Sequence, residues 1–129
     1  MPFGHDPIGS IIYTSEYMMV LLAKNVRTPF SSPDITKVQD QSIIANFNEF
    51  DTYCGSYRIC EESQTVIHTV ETARSPSVIG TEYKRFFEFS GDKLVLSTVD
   101  PIVLGGLEWF CKLTWTRSEI FEIPGQIQE

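Results

Sequence analysis

The side chains best equipped for chemistry lie within Thr65–Thr98, where one histidine and one arginine fall on the apolar parity of neighbouring β-like segments. Val66, His68 and Val70 share one parity against Thr65, Thr69 and Glu71, and Tyr83, Arg85, Phe87 and Phe89 alternate with Glu82, Lys84 and Glu88. An imidazole can both give and take a proton near neutral pH. A guanidinium keeps its charge and can stabilise an enolate, a carboxylate or another oxyanion. Burying that charge without compensation is costly, so Arg85 needs a partner. Two readings stand. Either Arg85 pairs with a carboxylate or caps backbone carbonyls at the end of a barrel, or the interior is a cavity in which Arg85 and His68 face a polar group of a mostly apolar ligand. His68 has the same two readings, satisfied core residue or ligand-facing acid and base.

Tyr57 or Tyr53, on the strand expected beside His68, can donate a hydrogen bond. With a shape that holds a reactive conformer, those groups suffice for a cyclisation or a double-bond shift without a cofactor. His68, Arg85 and Tyr57 are therefore the catalytic candidates. Tyr13, Met19, Tyr53, Tyr83, Phe87, Trp109 and Trp115 are candidates for the walls of a ligand site, or for plain core. Glu71 closes its strand on the parity opposite His68, as a solvated rim residue or, if a bulge shifts the register, as a partner for Arg85.

Other chemistries lack their residues. The two histidines, His5 and His68, and cysteines spread over separate strands make a zinc site improbable, and no metal is expected. Gly105-Gly106 is a turn without a surrounding phosphate-loop pattern, and no serine stands in a G-x-S-x-G context. Cys111, inward between Trp109 and Leu113, reads as a small buried hydrophobe.

These groups are positioned by a chain that reads as mostly strand. Gly9–Thr14 and Tyr17–Ala23 form a hairpin around Ser15-Glu16, a turn without the usual glycine or asparagine. Ser32-Pro33-Asp34 reads as the start of a helix running to about Phe50, with Ile43, Ile44, Phe47 and Phe50 as an apolar stripe suited to plugging or covering the end of a sheet. Five strands follow, Thr52–Cys60, Thr65–Thr72, Thr81–Phe89, Lys93–Val99 and Leu107–Thr116. Short sequential connections favour a meander that curls into an up-and-down antiparallel barrel, mainly β, with the helix between its second and third strands.

The 129 residues fit a single domain, 1–129. A net charge of −7 without a Lys/Arg cluster argues against nucleic acid or an anionic membrane surface as partner. Three cysteines without CxxC spacing, and no apolar run after Met1, point to a reducing, cytoplasmic setting, and no apolar stretch is long enough to span a bilayer.

The order of motifs resembles the lipocalin-like domain family of small intracellular proteins of bacteria and fungi. The resemblance rests on Gly9–Thr14 with Tyr17-Met18, Tyr53–Tyr57 (Y-x-G-x-Y), Val66–Glu71 (V-x-H-x-V-E), Pro76–Gly80, Arg85–Leu96 (R-x-F-x-F-x-G-D-x-L-x-L) and Leu113–Arg117 (L-x-W-x-R), over nearly the whole chain. It implies a calycin-type barrel of seven to eight strands with an internal cavity. Some fungal relatives are encoded among secondary-metabolite genes, and barrels of this type can act as cofactor-free cyclases or isomerases. The resemblance carries over His68, Glu71 and Arg85 as polar residues, with Tyr53, Tyr57 and Trp115 as lining. Two departures stand out. The G-T-W-type strand that opens the family pattern has no counterpart before the first hairpin, and the glycine that normally precedes Tyr-Met is missing.

Three functions are consistent with these residues: a cofactor-independent cyclase or isomerase of a largely apolar polyketide- or terpenoid-type intermediate, a non-catalytic carrier of such a molecule, or an oligomeric barrel without ligand. A barrel short of one strand leaves unpaired edges, which a homodimer partner or the Ile120–Gln128 tail is expected to cover.

Overall fold

In a computed structural model, residues 3–118 are described. Among these residues nine strands form: β1 (Ile8–Tyr13), β2 (Tyr17–Ala23), β3 (Phe50–Cys60), β4 (Thr65–Ala73), β5 (Glu82–Ser90), β6 (Lys93–Thr98), β7 (Ile102–Leu104), β8 (Leu107–Trp109) and β9 (Lys112–Thr116). Seven make one antiparallel sheet in the order β1-β2-β3-β4-β5-β6-β9, a meander that rolls into a nearly closed barrel. Among the described residues its unpaired edges are β1 and β9. The Ile120–Gln128 tail proposed from sequence as a cover for that seam lies outside the described residues. Among the described residues no helix is long and apolar enough to cross a membrane.

The β1–β2 turn closes without glycine because Thr14 supplies the bonds. Its backbone N–H donates to the Tyr17 carbonyl at 2.8 Å, and its hydroxyl accepts from the Tyr17 N–H at 3.1 Å. That turn fixes the register Tyr13↔Met18 and Ile12↔Met19. Cross-strand partners share a face, so Met18, buried beside Tyr13, lines the inside, and Met19 stands outside, 52% exposed. The placement of Met19 on the inner wall is therefore corrected.

The helix is shorter than the sequence suggests. The Asp34 carboxylate accepts from the Thr36 N–H at 3.1 Å and from its hydroxyl at 2.6 Å, which closes a 3-10 turn over Ile35–Lys37. Val38 and Gln39 then run extended, and α1 spans Asp40–Asn48. It buries no residue fully and leaves Ile44 and Phe47 exposed, so it does not plug the barrel. It is fastened instead by its C-terminal end. Arg74 donates to the Phe47 and Phe50 carbonyls and lies over the Phe47 ring at 4.4 Å, and Arg27 donates to the Asn46 carbonyl at 2.9 Å. Two cations at the negative end of the helix dipole are the favourable arrangement.

The predicted last strand is two. Gly105 and Gly106 at φ 60 and 77 turn β7 back on β8 as a separate hairpin, and the chain breaks at Phe110 and Cys111 before β9 rejoins the main sheet. Trp109, expected inside the barrel next to Cys111, accordingly sits on the small hairpin, 39% exposed.

Burial is concentrated at β4. Val66, His68 and Val70 point inward and are buried, with Met18 and Leu96 as neighbours in the core. The other inward positions, Tyr53, Tyr57, Tyr83, Arg85, Phe87, Leu113 and Trp115, are only half-buried. The concave face is thus packed around His68 and accessible beyond it.

Candidate functional site

Register brings the site together in rows. Tyr57, His68 and Tyr83 are cross-strand neighbours on β3, β4 and β5, and Val66, Arg85 and Thr98 form the next row. Beyond Gly55 on β3 comes Tyr53, whose register with Ala73 follows a bulge in β4 that leaves Glu71 without a partner opposite it.

The Tyr13 hydroxyl on β1 lies 2.6 Å from Nε2 of His68, and the Tyr53 hydroxyl lies 2.7 Å from Nδ1. Tyr13 reaches β4 across two intervening strands, which only a strongly rolled sheet permits. His68 is 1% exposed, and burial first, then the charge of Arg85, lower its pKa to about 4. At neutral pH the imidazole is uncharged, with one nitrogen as donor and the other as acceptor. One tyrosine therefore donates to the ring. The other accepts from it, and its own O–H is left without an acceptor among the described residues. Burial raises both phenol pKa values well above the ordinary value, so both keep their protons.

Aromatic rings continue the site. Tyr13 meets Tyr57 edge-on at 4.9 Å and Tyr53 meets Tyr83 at 5.1 Å. The Arg85 guanidinium lies 4.9 Å from the Tyr83 ring centroid and donates to the Lys84 carbonyl at 2.9 Å. It pairs with no carboxylate among the described residues. Its charge reaches Tyr13, Tyr53, His68 and Tyr83, in each of which it lowers the pKa. The arrangement can hold an oxygen-bearing aromatic guest by donated hydrogen bonds. A buried imidazole with both nitrogens occupied and so low a basicity is a poor general base.

The sequence-predicted residues divide. Tyr13, Tyr53, Tyr57, His68, Tyr83 and Arg85 come together. Phe87 continues the same face of β5 toward Leu96 and Leu113, and Trp115 pairs with Leu94 one row further. The Trp115 Nε1 is buried with no hydrogen-bond partner among the described residues. Tyr57 spends its hydroxyl on the Thr14 carbonyl, so it braces the hairpin rather than offering a donor to a guest. Glu71 is exposed on the outer side, and the bulge that was to bring it to Arg85 does not do so. With Ile12, Tyr17, Met18, Met19 and Cys54 it lines an open groove of about 320 Å³ to which none of the inner tyrosines contributes. Sequence reasoning missed that Tyr13 is a direct partner of His68. The one signal for it was the Thr14 hydroxyl, which fixes the hairpin register.

A sequence model described as a lipocalin-like domain matches residues 1–118. The 4'-hydroxy-3'-methoxypropiophenone carrier protein ppsC of Aspergillus oryzae is 33% identical over 84 residues, covering 60% of this chain and 76% of that protein. No solved structure matches.

Proposed function

The chain belongs to the lipocalin-like domain family, and on that premise we propose that it is a small-molecule carrier that holds a mostly apolar aromatic guest against the concave face of its sheet. The observation that carries this reading is Arg85. An inward guanidinium with one N–H engaged, and no carboxylate beside it among the described residues, stands on β5 in the row following the one that holds His68 and Tyr83, and one of the two tyrosine O–H groups at His68 has no acceptor among those residues. Such a surface is complete only when an acceptor oxygen arrives, and half-buried rings around it suit an apolar body. The relative from Aspergillus oryzae is named for carrying an aryl ketone that also bears a phenol, a molecule of this chemistry. Free cysteines Cys54, Cys60 and Cys111 suit a reducing, cytoplasmic setting.

Titration of the protein with 4'-hydroxy-3'-methoxypropiophenone, followed by tryptophan fluorescence, tests the reading. Saturable binding is expected, weakened roughly tenfold or more by Arg85→Ala, the worth of a charge-assisted hydrogen bond. Absence of binding up to millimolar guest would leave the third reading, a barrel that serves only as an oligomeric scaffold.

A cofactor-free isomerase or cyclase is the second reading. It draws on the same pair of donors, since a phenol O–H and a guanidinium on one carbonyl oxygen would stabilise an enolate. Recovery of the guest chemically changed after incubation would favour it, and recovery unchanged favours the carrier. We also propose a homodimer, on the strength of the two sheet edges left unpaired among the described residues.

A further inference from the structure

We propose that the site binds its guest as a delocalised oxyanion, a phenolate or enolate held by Arg85 and the free tyrosine O–H, so that a guest with an acidic hydroxyl sheds its proton to solvent on binding. The inference rests on the carrier reading and adds the charge state of the guest.

Three observations support it. The groups around Arg85 on the packed strands are Tyr13 of β1, Tyr53 of β3, His68 of β4 and Tyr83 on its own strand, none of them anionic at neutral pH, and Tyr57 of β3, whose hydroxyl donates to the Thr14 carbonyl. The nearby carboxylate, Asp51 of β3, is 3.8 Å from Arg74 and answers that cation. Among the described residues Arg85 is therefore a positive charge with no carboxylate in contact, although Asp51 acts on Tyr53 and Tyr83 from further off, and a guest anion is the species that compensates it. Second, the site offers donors. The Arg85 N–H groups and one phenol O–H favour an oxygen with three lone pairs over a neutral hydroxyl, which would bring a proton of its own. Third, the walls are the rings of Tyr13, Tyr53, Tyr57 and Tyr83. A delocalised, weakly hydrated anion loses less on leaving water for such walls than a compact carboxylate does.

The proton balance is simple. The guest O–H breaks, its electron pair stays on oxygen, and the proton passes to buffer, because His68 is already bonded at both nitrogens.

The experiment uses the whole chain with two probes, 4'-hydroxyacetophenone and its methyl ether 4'-methoxyacetophenone, at a pH where the free phenol is mostly protonated. Expected are the red-shifted phenolate absorption in the bound phenol, uptake of about one proton by buffer per guest, and binding of the phenol roughly tenfold or more tighter than the ether. Arg85→Met should remove the phenolate band and equalise the two probes, and Arg85→Lys should restore part of the band. Benzoate should compete less well than the phenol. If both probes bind wild type equally, or the phenol binds without the band, the inference is overturned while the carrier reading survives. If neither probe binds, the carrier reading falls and takes the inference with it.

Discussion

The side chain that decides most at the residue scale is His68. Buried between two phenols, it is held neutral, with its pKa at about 4 against about 6.5 in an unfolded chain. The unfolded state thus takes up a proton between those values and the native state does not. Stability is unaffected by this group above about pH 6.5 and is lost as pH falls toward 4, by on the order of 3 kcal/mol in all. His68→Gln, whose amide does not titrate, should be less stable at pH 7 because it imperfectly replaces two hydrogen bonds, yet should lose less between pH 6.5 and 4.5 than wild type does. Urea midpoints of both proteins across that range check it, and parallel curves would refute it. The exposed His5 does not confound the comparison, since both proteins retain it.

Among the elements, β3 and β4 hold the site's geometry through one glycine. A Cβ on Gly55 would strike the Thr69 carbonyl oxygen and crowd the Glu71 nitrogen, so β4 bulges at Glu71 only because Gly55 lets the backbones approach. Gly55→Ala should force the strands apart between Tyr53 and Tyr57 and destabilise the protein by about 3 kcal/mol. Gly91→Asn, at φ 62 with open space around it, should cost well under about 1 kcal/mol. Thermal melts of the two variants make the comparison, and similar midpoints would mean that the bulge relaxes freely. The glycine is legible in the sequence as the centre of Y-x-G-x-Y, but its reason is not, because a close approach between backbones leaves no trace in hydrophobic pattern. The same limit explains the other successes and failures. Alternation was clean in β4 and β5, so the inward parity of His68, Tyr83, Arg85 and Phe87 followed from residue type alone. In YMMVLLA both faces are apolar, and only hairpin register separates Met18 from Met19. The α-helix start moved because Asp34 bonds to its own neighbours, and Trp109 left the main sheet because two glycines at positive φ fold a hairpin of their own.

At the scale of the whole molecule, the sheet closes almost fully and leaves β1 and β9 without strand partners among the described residues. Beside the β1 edge, the outward faces of β1 and β2 expose Ile8, Ile12, Tyr17, Met19 and Leu21, each at 46% or more. An apolar outer face beside an open edge is a surface that natural proteins cover, since it otherwise invites uncontrolled pairing. A second copy of the chain covers it if two β1–β2 hairpins meet about a two-fold axis, the commonest symmetry of soluble oligomers. Sedimentation equilibrium should then show a dimer at micromolar concentration. Met19→Glu with Leu21→Lys, on the outer face and away from the inner tyrosines, should convert it to monomer and leave guest affinity within about twofold, because the interior residues stay in place. A wild-type protein that stays monomeric at high concentration would refute the dimer. A variant that becomes monomeric and also loses the guest would instead show that closure of the barrel depends on the partner, joining assembly and binding in one event.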